Sequence, residues 1–326
     1  MADRLSRGRC AFRTTDPTFD TGMETISSMM HSDQVHIDAD IVRDMISAQF
    51  PQYRHQRIEP LGAIGTVNAI FRIGSSVAAR FPLRFADPIE CVNILNSEAA
   101  AMAEFARHSP FAAPRPLGIG RPGPRYPMPW TLQSWIDGDA ATPDGLANSA
   151  SFALDIAGLI ASLRAADTRG RRFDRRGRGG HLPDHDDWMS ICFRNSEDIL
   201  DVPRLRRKWG DLRELPPSGP DVMNHGDLIP ANLLVRGERL VGVLDCGSFG
   251  PADPALDLVA AWHLLDRDRR ETVRIHLRSS TIEWKRGAAW AFQQAMGLVW
   301  YYQNTNPAMS ALGRSTLRRI LDDPEI

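Results

Sequence analysis

Asn224-His225-Gly226-Asp227-Leu228-Ile229-Pro230-Ala231-Asn232 is the stretch on which the reading of this chain turns, and Asp245 completes it after an apolar alternating segment. A carboxylate and an amide stand five positions apart, and a second carboxylate follows. Phosphoryl transfer from a nucleotide needs groups in that order: a carboxylate that orients a hydroxyl and accepts its proton, then an amide and a carboxylate that hold magnesium on the phosphates. The spacing Asp-x-x-x-x-Asn is common by itself, and the geometry it implies is what gives it weight. Leu233 to Arg236 and Arg239 to Leu244 read as short strands around Gly237-Glu238, a two-residue hairpin turn. With Arg236 opposite Arg239, the register sets Asn232 opposite Val243 and Asp245 opposite Pro230. Paired strands lie about 5 Å apart, so Asn232 and Asp245 share one end of the hairpin, with Asp227 in the loop before it. Three oxygen-bearing side chains converge, and magnesium prefers such ligands.

His225-Gly226-Asp227 with Asn232, then Leu244-Asp245, Gly250-Pro251-Ala252-Asp253-Pro254 and Asp257, resembles the aminoglycoside phosphotransferase family, small-molecule kinases with a protein-kinase-like fold. The resemblance runs from near Val35 to near Asp323 and is most specific in the catalytic segment. It implies an α+β, two-lobed fold with a small N-terminal antiparallel-sheet lobe and a larger, mainly helical C-terminal lobe. It also implies Asp227 as catalytic base, Asn232 and Asp245 as Mg2+ ligands, Asp257 as an acid bracing the catalytic loop, and ATP or GTP as co-substrate. The expected division is an N-terminal extension over 1–34, a nucleotide-binding lobe over 35–135 and a catalytic, substrate-binding lobe over 136–326.

Upstream, Leu61-Gly62-Ala63-Ile64-Gly65-Thr66-Val67-Asn68 is a glycine-containing turn whose backbone amides could cradle phosphates, making Gly62, Gly65, Thr66 and Asn68 cofactor-binding candidates. A hairpin follows, Ala69 to Ile73 and Val77 to Phe81 around Gly74-Ser75-Ser76. In the family fold the second strand carries a lysine that contacts the nucleotide phosphates. This chain has no lysine before Lys208, and Arg80 stands in that place. Arginine binds phosphate bidentately but is not equivalent to lysine. Glu98, in a helical stretch from Ile94 to Arg107, is expected to pair with Arg80. The strand from Trp130 ends in a polar turn that reads as the hinge, and by resemblance the backbone around Gln133, Ser134 and Trp135 meets the base of the nucleotide.

Composition fits an enzyme rather than a nucleic-acid or membrane protein. The 326 residues carry a net charge of −1, so no overall field points to nucleic acid. There is no uncharged apolar run long enough for a transmembrane helix. Cys10, Cys91, Cys192 and Cys246 show no paired or metal spacing and read as reduced thiols of a cytoplasmic protein. Helical patterning begins near Ile37, with Ile41, Val42, Met45 and Ile46 on one face and Asp38 or Asp40 suited to the first turn. Ser151 to Ala166 reads as a second amphipathic helix. His181 and His185 are no metal pair, because Pro183 between them opposes the helix that would align them.

Arg169 to Gly180 holds six arginines among glycines. It could bind an anionic substrate or nucleic acid, but with no interleaved aromatic pattern the expectation is a solvated, mobile loop. Three functions compete. The leading one is an ATP- or GTP-dependent kinase acting on a hydroxyl of an aminoglycoside-type antibiotic, which would confer resistance. A polycationic acceptor of that kind needs carboxylates, and Asp184, Asp186, Asp187, Asp266 and Asp268 are the candidates. The others are a kinase of another hydroxylated metabolite (a macrolide, an amino alcohol or a sugar) and a nucleotide-binding pseudokinase, suggested by Arg80. The expected partners are a nucleoside triphosphate and a small-molecule acceptor, with no nucleic acid and no membrane, and the expected state is a monomer, a dimer remaining open.

Overall fold

The structure is a computed structural model that describes residues 35–61, 68–84 and 87–326. The expectations for residues 1–34 and for Gly62, Gly65 and Thr66 lie outside those residues. The chain opens on α1 (Ala39–Gln49), started by the Asp38 carboxylate, which accepts from the amides of Asp40 and Ile41. Then come β1 (Ile58–Pro60), β2 (Asn68–Ile73) and β3 (Val77–Pro82). The long helix α2 (Pro88–His108) follows, with Asp87 as its cap and Pro88 preset for the first turn. β4 (Pro116–Gly120) and β5 (Trp130–Ser134) complete an antiparallel sheet of order β1-β2-β3-β5-β4. Inward residues alternate along β3 and β5, so Phe81 stacks on Trp130 with ring centroids 4.7 Å apart.

The remainder is mainly helical. β6 (Asp139–Ala140), α3 (Ala150–Arg164), α4 (Asp186–Asn195) and α5 (Val202–Arg213) lead to β7 (Val222–Asn224), β8 (Leu233–Arg236), β9 (Arg239–Val243) and β10 (Gly250–Ala252). α6 (Val259–Leu264), α7 (Arg267–Leu277), α8 (Thr281–Tyr301) and α9 (Pro307–Leu321) close the chain. α8 is buried on all sides from Arg286 to Val299, with Arg286, Gln293 and Gln294 among otherwise apolar or small residues, as befits a helix with neighbours all round it. No helix among the described residues is long and apolar enough to cross a membrane.

Two hydrophobic clusters result. One joins α1 to the five-stranded sheet, and the other gathers the helices around α8. α2 belongs to both, since Cys91 and Leu95 pack with the sheet while Met102 and Phe105 pack with the helices. This is the α+β, two-lobed kinase-like architecture, and α2 ties its parts at the point where the site residues meet.

Candidate active site

The hairpin β8–β9 is present with Arg236 opposite Arg239, but its register differs from the expected one. Val235 faces Leu240 and Leu234 faces Gly242, so a bulge absorbs Val241. Leu233 rather than Asn232 then faces Val243, and the Leu244 amide donates to the Asn232 carbonyl at 2.8 Å. The bulge moves Asp245 one step towards Asn232 along the hairpin end. Asp245 itself adopts a left-handed backbone, φ 57°, so the chain turns sharply there and leaves the carboxylate exposed.

The loop before the hairpin is held from below by Asp257, whose carboxylate accepts from the amides of His225 at 2.7 Å and Gly226 at 2.9 Å. Burial pushes the Asp257 carboxyl above its ordinary range, against those two amides and the nearby charges. Gly226 has φ +87°, a conformation costly for any side chain, and it turns Asp227 outward. The buried His225 donates from Nε2 to the Leu244 carbonyl at 2.8 Å and accepts the Asp227 amide on Nδ1 at 3.2 Å. One ring thus ties this loop to the hairpin.

Asp227 receives unequal attention on its two oxygens. Oδ1 accepts from Arg178 Nη2 at 2.6 Å and from Gln294 Nε2 at 2.8 Å. Among the described residues, Oδ2 accepts only from Asn232 Nδ2, at 3.2 Å. Burial raises the Asp227 pKa, but Arg178, His225 and Gln294 outweigh it and hold the carboxyl below its usual range. Gln294 is itself oriented by a buried chain: its Oε1 accepts from His263 Nε2 at 3.0 Å, and His263 Nδ1 accepts from Thr316 Oγ1 at 2.8 Å. Neither Arg178 nor Gln294 was visible as a site residue in the sequence.

Asn232 spends its amide nitrogen on the Asp227 carbonyl, 2.9 Å away, as well as on Oδ2, which turns its amide oxygen the other way. Arg80 Nη2 donates to Asp245 Oδ1 at 3.1 Å. The expected Arg80–Glu98 ion pair is not formed among the described residues: the cation reaches instead an exposed carboxylate on the opposing loop. Glu98 remains close by, its carboxyl raised by burial, lowered by Arg80 and raised by Asp245. It packs on Gly247, where an added Cβ would lie 3.1 Å from Glu98 Cβ, so glycine lets α2 approach the Asp245 loop. Arg80, Glu98 and Gln133 line one small cavity with Met102 and Thr131, and Gln133 Oε1 is buried with no partner among the described residues. Asn68 begins β2 opposite Pro82, on the strand beside Arg80. The Ser134 and Trp135 amides are occupied by the carbonyls of Arg115 at 2.9 Å and Ser76 at 2.8 Å, so these two donors are committed to the sheet.

The arginine-rich segment is not the solvated loop expected. Arg171 forks onto Glu104 with bonds of 2.9 and 2.8 Å, the Phe173 amide donates to Asp221 at 2.8 Å, and Arg178 reaches Asp227. Arg172, Arg175 and Arg176 are exposed. The carboxylates expected to attract a polycation are partly committed elsewhere. Asp186 pairs with Arg213 at 2.6 Å, Asp266 caps α7 and Asp184 contacts His181 at 3.2 Å, while Asp187 and Asp268 are exposed. His185 packs against Trp290 while His181 is exposed. Pro183 stands in the first turn of a short 3-10 helix over Leu182–His185, a place where proline is tolerated, so it does not keep that segment from helical backbone as expected.

Known proteins share this arrangement to different depths. The aminoglycoside 3'-phosphotransferase of Escherichia coli is 36% identical over 62 residues, 19% of this chain and 23% of that protein. The chain therefore matches less than a quarter of the length of this curated relative. The solved GDP and kanamycin complex of APH(2")-IIia superposes with a TM-score of 0.64 at 17% identity, covering 86% of this chain and 98% of that one. The macrolide 2'-phosphotransferase MphH from Brachybacterium faecium gives a TM-score of 0.57 at 18% identity, covering 85% and 97%. At such identities the likeness is one of fold. A model of the phosphotransferase enzyme family matches residues 59–290. That match takes in the catalytic loop, its hairpin and the strand carrying Arg80, and with more than two thirds of its length covered the chain belongs to the phosphotransferase enzyme family.

Proposed function

We propose that the protein transfers the γ-phosphoryl group of ATP or GTP to a hydroxyl of a small molecule, with Asp227 as the general base. The observation that carries this reading is the division of labour on Asp227: Oδ1 is held by two donors, whereas Oδ2 has one long contact and can take a hydroxyl proton. The lowered pKa keeps the carboxylate ionised at neutral pH. In a loose phosphoryl transition state, orienting the hydroxyl matters more than basicity, and a fixed carboxylate does that.

On the nucleotide side, Arg80 would leave Asp245 for phosphate oxygens, with Glu98 limiting its travel. Asn68, Gly62, Gly65 and Thr66 belong to the segment over the phosphates, and Gln133, Ser134 and Trp135 to the strand end facing the base. Asn232 and Asp245 fit magnesium: an amide oxygen turned free, and a carboxylate whose second oxygen has no partner among the described residues. Held by these two residues, such an ion would supply positive charge against the nucleotide phosphates. In this reading residues 35–135 form the nucleotide lobe, residues 136–326 the catalytic lobe, and the protein works as a cytoplasmic monomer.

An aminoglycoside-type antibiotic is the reference acceptor, because the curated relative bears that name and one solved neighbour holds kanamycin. Phosphorylation would then confer resistance. A non-cationic acceptor is the second reading, favoured by the cation beside Asp227 and the commitment of Asp186 and Asp266. The test is a panel of hydroxyl compounds incubated with ATP or GTP, scored by product mass. Transfer that depends on magnesium and is lost in Asp245→Ala is expected. Transfer that survives both chelation and Asp245→Ala would remove the metal-bound nucleotide from the reaction.

A further inference from the structure

Arg178 stands where an acceptor must approach Asp227. It comes from a segment with six arginines and a single acid, Asp174, between residues 169 and 180. Nη2 is spent on Asp227 Oδ1 and on the Gly226 carbonyl at 3.1 Å. Nη1 and Nε have no hydrogen-bond partner among the described residues, and the side chain keeps 22% of its exposure. A pair of unused donors therefore faces solvent at the rim of the catalytic carboxylate.

The placement is built into the fold. The next two residues are pinned: the Gly179 carbonyl accepts the Asp253 amide at 2.7 Å, and the Gly180 carbonyl accepts from Arg286 at 3.3 Å. Asp253 is in turn held by Arg286 and by Trp290 Nε1 at 2.8 Å. The two oxygens of Asp227 also separate its surroundings. Oδ2 faces Asn232 and, beyond it, the Asp245–Arg80 pair of the nucleotide side. Oδ1 faces Arg178 and Gln294, so an acceptor hydroxyl on Asp227 has a guanidinium for a neighbour. His185, near enough to feel Arg178, adds little positive charge of its own: burial and then Arg178 hold its pKa down, against Asp184 and Asp186.

We propose that Arg178 sets acceptor specificity, and that the acceptor is a hydroxy acid whose carboxylate lies on the Arg178 donors while its hydroxyl lies on Asp227. The proposal rests on the phosphotransfer reading of Asp227 and takes the second, non-cationic acceptor over the aminoglycoside. In the reaction the hydroxyl oxygen bonds to the γ-phosphorus as the bond from that phosphorus to the β–γ bridging oxygen breaks. The proton passes to Asp227 Oδ2 and the nucleoside diphosphate leaves. A carboxylate matches the planar guanidinium, whereas an ammonium in that place would be repelled.

Matched acceptor sets, alike in skeleton and different in charge, test this directly. Gluconate, glucitol and glucamine share a hydroxylated skeleton and differ in charge at one carbon; glycerate, glycerol and 3-aminopropane-1,2-diol form a shorter set, and kanamycin is the polycation. The wild type is expected to phosphorylate the acid of a set with kcat/KM about ten- to a hundred-fold above its neutral and amine members, the range of a charge-assisted pair. Arg178→Gln should erase that ratio, mainly through KM, and Arg178→Lys should keep much of it. Because Arg178 also holds Asp227, the ratio between members is the readout, and any general effect on the base cancels in it. Preference for neutral, amine or kanamycin acceptors, or an acid preference that survives Arg178→Gln, would overturn the proposal and leave Asp227 in place. Failure to phosphorylate any compound, by protein that binds magnesium and nucleotide, would count against the phosphotransfer reading and the proposal with it.

Discussion

Gln294→Leu probes the least expected part of the site. Leucine keeps most of the volume but removes both polar contacts of a side chain that is only 8% exposed. Two losses follow. Asp227 Oδ1 loses its 2.8 Å bond, and His263 Nε2, fully buried, loses its acceptor at 3.0 Å. A lost hydrogen bond costs about 1 kcal/mol and an orphaned buried donor about 1–3 kcal/mol, so the variant should be destabilised by roughly 2–4 kcal/mol. For a chain of this size that lowers Tm by on the order of 3–6 °C. Turnover should fall about ten-fold, equivalent to roughly 1.4 kcal/mol of transition-state stabilisation, because Arg178 still restrains the same oxygen. Urea unfolding of Gln294→Leu, His263→Leu and the double variant separates the two terms. Removing His263 removes the orphan, so the double variant should be more stable than the sum of the singles by about 1–2 kcal/mol, with turnover no better than in Gln294→Leu. Strictly additive stabilities would refute the buried chain, and a Gln294→Leu enzyme with wild-type turnover would refute its link to the base.

Two further outcomes follow from the same contacts. Arg80→Ala should raise the nucleotide KM and lower turnover together, with Arg80→Lys retaining much of the activity. The Arg80–Asp245 pair, half exposed, costs at most about 1 kcal/mol to open; wild-type kinetics in both variants would put the phosphate-binding cation elsewhere. His263, whose pKa burial lowers from 6.5 to about 4, is neutral in the fold and titrates near its ordinary value when unfolded. Between pH 6.5 and about 4 the unfolded chain binds a proton that the fold does not, so stability falls with falling pH, by on the order of 3 kcal/mol in total. His263→Gln should flatten that part of a Tm–pH profile; an unchanged slope would place the titrating group elsewhere.

Local signals carried the strands, the caps and the catalytic loop. Gly237-Glu238 marked the hairpin, the Asp38-x-Asp40 pair marked the start of α1, and the order Asp227, Asn232, Asp245 marked the proposed site. The start of α2 was also legible, as Asp87-Pro88, although the periodic stretch from Ile94 was all that stood out. Other features had no local signal. The bulge at Val241 shifts a register without changing the alternation around it. Gln294 lies on a helix whose apolar run conceals one polar residue aimed at a carboxylate 67 positions earlier. Arg178 sits in a sequence that reads as solvated, and only its anchorage through Gly179 and Gly180 to Asp253 and Arg286 brings it onto Asp227. Arg80 likewise turned from the helix glutamate to Asp245, a choice set by the approach of β3 to a loop distant in sequence.

The central claim, that Asp227 is the base, is tested most directly by single-turnover transfer in Asp227→Asn with magnesium and nucleotide saturating. The amide keeps the size and can still hydrogen-bond, so nucleotide affinity measured by calorimetry should stay within a few-fold of wild type. The transfer rate should fall by about two to four powers of ten, the contribution of general-base catalysis. A transfer rate close to wild type, with nucleotide affinity intact, would contradict the account.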